Sequence, residues 1–195
     1  MAVKHCTCEK KNGQIQCCVD FRNLNRVCPK DEFPLPNMDL LIDSAMGNAM
    51  FSFRDEFGGY NQIRMALKDE EKTAFKTAIG NFYYTMMSFG LKNVGATYQR
   101  LVNHMFSQQI GRNVEVYVDD MLVKSKDEAG HLDDLEETFD TLHKYNMKLN
   151  PTKGVFVVAL GKLLGFMVFQ RGIEANLDKV KAIIEIKSPR TVNEV

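Results

Sequence analysis

This chain of 195 residues has no excess of charge of either sign: Lys plus Arg and Asp plus Glu number 25 each. A global positive field that would draw in nucleic acid is thereby excluded, so any nucleic-acid binding has to come from a local groove. No apolar run is long enough to span a bilayer, and residues 1–16 lack the apolar centre of a secretory signal. The expectation is an intracellular protein, cytoplasmic or nuclear, with no membrane partner. Cysteine is missing after position 28: Cys6, Cys8, Cys17, Cys18 and Cys28 crowd the amino-terminal end beside His5, in a spacing that suits neither a zinc ribbon nor a finger. Reduced thiols are expected, and nothing demands a disulfide. No internal repeat or low-complexity tract is visible. What is present, 45% hydrophobic and 26% charged residues, is the composition of a globular protein able to bury a core as one or two domains.

One stretch is chemically odd. Val114, Val116 and Val118 alternate with Glu115 and Tyr117, the adjacent acids Asp119 and Asp120 follow, and Met121 to Val123 resume an apolar run. The pattern predicts a β-hairpin with the acids at its tip. Two anionic side chains at one turn repel each other, and a fold that keeps them in a cleft pairs them with cations, which points to a divalent-metal site. The competing reading is a solvated turn, where Asp is common for its own hydrogen-bonding reasons.

In chain order, residues 1–16 predict no element of their own, and Cys17 to Phe21 a short strand. Pro29, Pro34 and Pro36 impose an extended connection. Asn37 caps a helix carrying Met38, Leu41, Ile42 and Ala45. Met50 to Asp55 and Tyr60 to Leu67 predict strands around a turn or bulge at Gly58-Gly59, followed by a charged surface turn at Lys68 to Lys72. Thr73 to Thr77 and Phe82 to Met87 predict another strand pair. Ala96 to Ile110 predicts a helix stopped by Gly111. After the acidic hairpin, Ser125 and Glu128 predict a capping box for a helix with Leu132, Leu135, Phe139 and Leu142 on one stripe. Val155 to Val158 and Leu163 to Phe169 predict two strands, and Asn176 opens a last helix. Sequence-local hairpins with crossing helices make an α+β class, an antiparallel sheet layered on helices.

Two-metal phosphoryl-transfer sites need carboxylates arriving from separate elements. The acidic hairpin supplies half of such a set. Asp55, at a strand end before Glu-Phe-Gly-Gly-Tyr, is the best candidate for the other half, its alternative being an ordinary strand-terminating Asp. Among His5, His104, His131 and His143 no general base of a metal-dependent nuclease is recognisable.

Six ordered motifs now share one resemblance. They are Cys18-Val19-Asp20-Phe21-Arg22-Asn23-Leu24-Asn25, Phe33-Pro34-Leu35-Pro36, Asp55 with Gly59-Tyr60-Asn61-Gln62-Ile63, Lys72-Thr73-Ala74-Phe75, the block from Phe89 to Arg100, and Tyr117-Val118-Asp119-Asp120. From about Lys10 to Val195 the chain resembles the reverse transcriptase of gypsy-type LTR retrotransposons, particularly plant ones. The resemblance implies a right-hand polymerase: partial fingers over 1–48, palm over 49–66, fingers over 67–92 and palm over 93–195, ending before the thumb, connection and RNase H regions of a polyprotein. It implies RNA-directed DNA polymerase activity with an RNA or DNA template, a primer, deoxynucleotides and two Mg2+ ions held by Asp55, Asp119 and Asp120. It also places Tyr60 over the nucleotide sugar, where the alternative is a buried strand tyrosine. Phe89 and Gly90 would line the nucleotide pocket, and Lys153 would lie near the triphosphate. Arg22 would lie in the fingers, as a nucleic-acid contact or as an ion-paired surface residue.

Three departures stand out. Where the family usually has an arginine that grips the triphosphate, this chain has Gln16, and a neutral amide cannot replace a charge-assisted fork. Ser88 replaces a proline, and Arg54 replaces an apolar residue before Asp55. Period-two alternation turns Arg54 to the helix-covered face, where an unpaired guanidinium is costly. These departures define a second expectation, a catalytically inactive remnant that at most binds nucleic acid.

Overall fold

The computed structural model describes residues 5–9, 15–55, 59–150 and 153–186. Strands β1 (His5–Glu9) and β2 (Ile15–Val19) form an antiparallel hairpin in which Cys8 pairs with Gln16. The expectation of no element before residue 17 is corrected: a polar stretch without a pattern of its own satisfies its backbone groups against β2. The side chains of Cys6, Cys8, Gln16, Cys17 and Cys18 lie outside the described residues, while Cys28 is a half-buried free thiol. A short helix α1 (Arg22–Val27) begins behind the buried Phe21 and stops before Pro29. Helix α2 (Met38–Ala45) is capped as expected, Asn37 Oδ1 accepting the Asp39 amide at 2.8 Å.

Strand β3 (Met50–Asp55) occupies the middle of the largest sheet. The strand expected over residues 60–67 is instead a 3-10 turn, Gly59–Gln62, and a single bridge between Arg64 and Met86. The Gln62 side chain takes over backbone pairing there, donating to Lys148 O at 2.9 Å and accepting from Lys148 N at 2.7 Å. The charged stretch that follows folds as α3 (Leu67–Glu70) and a 3-10 turn, Glu71–Thr73. A small hairpin, β4 (Phe75–Thr77) with β5 (Gly80–Phe82), is shorter than its aromatic content suggests.

Helix α4 (Val94–Met105) leads to β6 (Val114–Tyr117) and β7 (Asp120–Ser125). Helix α5 (Glu128–Lys144) is capped by Asp127, whose Oδ1 accepts the Gly130 amide at 2.8 Å. The expected Ser125–Glu128 capping box is corrected because Ser125 ends β7 and spends its hydroxyl in the core. Strand β8 (Val155–Val158) joins the large sheet, giving the antiparallel order β6-β7-β3-β8. The single strand expected over 163–169 is a hairpin of β9 (Leu160–Leu163) and β10 (Phe166–Phe169). It is folded by left-handed backbone at Leu164 (φ 49°) and Gly165 (φ 91°), and β11 (Gly172–Ala175) extends it. Helix α6 (Leu177–Ile184) closes the described chain.

The inner strands β3 and β7 are covered on both faces, while the edge strand β8 stays largely exposed. Met121 and Val123 pack with Tyr98, Val102, Met105 and Leu135 from α4 and α5. Phe51, Phe53 and Leu122 pack with Leu41 and Ala45 of α2 and with Leu163 and Val168. Period-two alternation therefore sorts one strand into two cores, which is why β7 reads as a continuous apolar run. The α+β architecture expected from the sequence is the one observed.

Candidate functional site

The acidic hairpin forms as expected, with Tyr117 paired to Asp120 across a two-residue turn of Val118 and Asp119. The neighbouring ladder places Asp55 opposite Asp120, so three acids from two elements meet at one end of the sheet. Asp119 is half-buried and Asp120 exposed; the Asp55 side chain lies outside the described residues. Hard carboxylate oxygens at such an end suit Mg2+ in chemical type.

Val118 has φ 51°, a left-handed conformation that a β-branched residue pays for with strain on the order of 1–3 kcal/mol. Gln99 of α4 holds it there. Its Oε1 accepts the Val118 amide at 2.8 Å, and its Nε2 donates to Val116 O at 3.1 Å and to Asn103 Oδ1 at 3.0 Å. Gln99 is fully buried. Sequence reasoning did not single it out; the available signal was its place three residues before Val102 on the buried stripe of α4.

Tyr60, in the 3-10 turn rather than a strand, is 8% exposed and packs edge-on against Phe89 (5.1 Å) and Tyr98 (5.5 Å). Phe89 is exposed and followed by Gly90 in left-handed backbone, φ 91°. Asn25 of α1 clips this segment, donating to Gly90 O at 2.6 Å and accepting from Lys92 N at 2.8 Å. Ser88, where a proline was expected, is buried with its hydroxyl turned to Phe89 O at 3.3 Å. The exposed Arg22 is forked onto Asp20, with Nη2 to Oδ2 at 2.7 Å and Nε to both oxygens at 3.0 Å. The hydrogen bonds to Asp20, and then its charge, raise the Arg22 pKa.

Lys153 is exposed and lines a cavity of about 280 Å³ with Asp120, Phe53, Gly161 and Lys162. The larger cavity, about 600 Å³, lies between α1 and the segment before α4 and is lined by none of the three acids.

Arg54 turns to the helix face as alternation requires. It is 4% exposed, with its guanidinium carbon 3.9 Å from the Phe139 ring centroid and 4.2 Å from that of Phe156. Nε and Nη2 find no acceptor among the described residues, and burial lowers the guanidinium pKa to about 10. Two aromatic faces offset part of the desolvation cost.

Residues 8–168 match the family described as reverse transcriptase (RNA-dependent DNA polymerase). The chain belongs to the reverse transcriptase family. Among related polyproteins, this reverse transcriptase domain is 36% identical over 95% of its length to the retrovirus-related Pol polyprotein from transposon opus of Drosophila melanogaster. It is 32% identical to that of transposon gypsy over 91% of its length, and 27% identical to the transposon Tf2-3 polyprotein of Schizosaccharomyces pombe over 95%. The chain spans 19% of the opus protein, 17% of the gypsy protein and 14% of the Tf2-3 protein. Its fold matches the foamy viral protease-reverse transcriptase solved with an RNA/DNA hybrid. There the TM-score is 0.85 at 22% identity, covering all of this chain and 26% of that one. A second foamy viral structure, solved with double-stranded DNA, gives a TM-score of 0.89 at the same identity and covers 34% of that chain.

Proposed function

We propose that this domain extends a primer 3′-hydroxyl with deoxynucleotides on an RNA or DNA template, using Asp55, Asp119 and Asp120 to hold divalent metal, Mg2+ in two sites. The observation that carries the reading is the register that pairs Asp55 with Asp120 beside a turn whose strained backbone is pinned by Gln99. Metal held there supplies activation of the attacking hydroxyl and neutralisation of the triphosphate. Asp55 and Asp119 orient the reacting groups, and Asp120 supports them from the paired strand. Tyr60, edge-on against Phe89, limits the room for a ribose 2′-hydroxyl, Phe89 and Gly90 line the nucleotide pocket, and Lys153 faces the triphosphate side. Arg22 acts mainly through its fork on Asp20. The RNA/DNA hybrid and double-stranded DNA bound in the foamy viral complexes support nucleic acid as the partner, and a gypsy-type element of plant origin is the lineage proposed.

Primer extension on RNA and DNA templates, with Asp119→Asn as control, tests this reading. Metal-dependent incorporation lost in the control supports it; extension unaffected by the substitution overturns the roles. Gln16 favours a second reading, a domain that binds nucleic acid without polymerising. Salt-dependent filter binding with no incorporation would select it.

A further inference from the structure

A buried polar chain apart from the acids joins four elements of the palm. His131 of α5 is fully buried. Its Nδ1 lies 2.7 Å from Ser125 Oγ on β7, and its Nε2 lies 2.8 Å from Ser52 Oγ on β3. Ser125 Oγ also donates to Asp134 Oδ2. At the other end the Val157 amide donates to Ser52 Oγ at 3.0 Å. Val157 has φ 53° and lies where the β3–β8 register shifts, so the Ser52 hydroxyl is the acceptor that its amide finds.

Counting protons assigns the tautomer. A carboxylate oxygen only accepts, so the Ser125 proton goes to Asp134 and Ser125 Oγ must accept Nδ1–H. Nε2 is then the acceptor of the neutral ring. Ser52 donates to it while accepting from Val157, and every proton is used once. A proton added at Nε2 would face Ser52 Oγ and strip the Ser52 hydroxyl of the acceptor it now has, inside a dry core.

The charged surroundings pull in both directions. Asp134 is the acid nearest the ring, and its Oδ1 is taken by Asn113 Nδ2 at 2.7 Å. Asn113 also reaches Glu137 Oε2 at 3.0 Å, and Glu137 is paired with Arg112. The next same-face residue on β3 is the cationic Arg54, and β8 offers only the Val157 amide. Burial lowers the His131 pKa, with Asp134 opposing.

We infer that His131, held as the neutral Nδ1–H tautomer, is a positioning residue that locks β3 and β7, and with them Asp55 and Asp120, against α5 and β8. Its consequence for rate rests on the polymerase reading; the tautomer and the locking do not.

Two measurements on the full chain test it. With 15N-histidine labelling, His131 should show a protonated Nδ1 and a bare Nε2 that do not titrate between about pH 8 and 5.5, the range in which an ordinary histidine charges. An Nε2–H tautomer or ordinary titration overturns the assignment. Ser52→Ala removes both the donor to Nε2 and the acceptor of the Val157 amide, and leaves the ring in place. It should speed amide exchange in β3 and β7 about tenfold and lower kcat for primer extension by roughly ten- to a hundredfold with nucleotide KM unchanged, as expected for misplaced reacting groups. Ser52→Thr should restore both. Unchanged exchange and kcat, or a loss confined to KM, overturn the positioning role. If the native chain extends no primer but the tautomer and exchange results hold, the polymerase reading fails and the strand lock stands.

Discussion

Asp55 and Asp120 are Cα partners at the last rung of the β3–β7 ladder. Each is the end of its own strand, so neither can shift without breaking the register that also aligns Arg54 with Met121 and Phe53 with Leu122. Asp55→Asn and Asp120→Asn remove charge without removing side-chain volume. Incorporation by Asp55→Asn should fall on the order of a thousandfold, the scale on which one charge-stabilising group acts in an active site. Asp120→Asn, the supporting member, should fall less, and circular dichroism should show both folded. Equal losses would reassign the supporting role, and chelation of divalent metal should abolish the activity of the native chain.

Gln99→Ala leaves the Val118 amide and Val116 carbonyl without their partner. Destabilisation of about 2–3 kcal/mol is expected, since each buried polar group left unsatisfied costs about 1–3 kcal/mol. Gln99→Glu keeps an acceptor for Val118 but aims a second oxygen at Val116 O, and should lower activity further than Gln99→Ala does. Denaturant midpoints and primer extension on the two variants give the order.

Arg54→Met exchanges a guanidinium with two unpartnered nitrogens for an apolar chain of similar reach. Stability should be unchanged or raised by about 1–2 kcal/mol, because an uncompensated buried charge is removed. The aromatic contacts make a second test. If they offset the charge, Phe139→Ala costs more in the native chain than in Arg54→Met, and a double-mutant cycle reads the difference. Additive losses would show that the ring faces contribute nothing beyond packing.

Gly161 lets β9 approach Phe53 closely: a Cβ at this glycine would sit 1.8 Å from Phe53 Cε2. Gly161→Ala should destabilise by roughly 1–3 kcal/mol, the cost of overpacking a formed core. Phe53→Leu in the same chain should recover part of that loss, measured by thermal unfolding.

Arg100 Nη2 meets both oxygens of Asp31 at 2.7 and 2.8 Å while its guanidinium lies over Phe33. The hydrogen bond from Arg100, then that from the Phe33 amide, hold the Asp31 carboxyl below the usual carboxylate range. Because the folded value is the lower one, this contribution is present above the ordinary carboxylate range and disappears as acid passes the folded value. Carboxyl NMR titration should show the Asp31 midpoint rising toward the ordinary value in Arg100→Ala. Arg100→Lys should give only part of that rise, since a lysine keeps the charge but loses the planar guanidinium that stacks on Phe33.

Much of this molecule was legible in the chain itself. Alternation around Asp119-Asp120, the Asn37 cap and the order of the six motifs are local or collinear signals, and each depends on covalent neighbours. They led to the acidic hairpin, α2 and the right family. Arg54 was readable halfway: period two assigned its face, but only the tertiary packing brought Phe139 of α5 and Phe156 of β8 against its guanidinium.

The tertiary structure decided what depends on partners far apart in sequence. β1 exists because β2 completes its backbone hydrogen bonds, and residues 60–63 turn instead of extending because Gln62 finds Lys148. Ser125 becomes a link to His131 instead of a cap because β7 carries it into the core. The sequence by itself determined that three acids and a hairpin were present. Which acids face one another, and what pins the strained Val118 between them, was decided by the β3–β7 register and by Gln99. Hydrogen bonding in a dry core rewards one pairing and penalises every unsatisfied alternative.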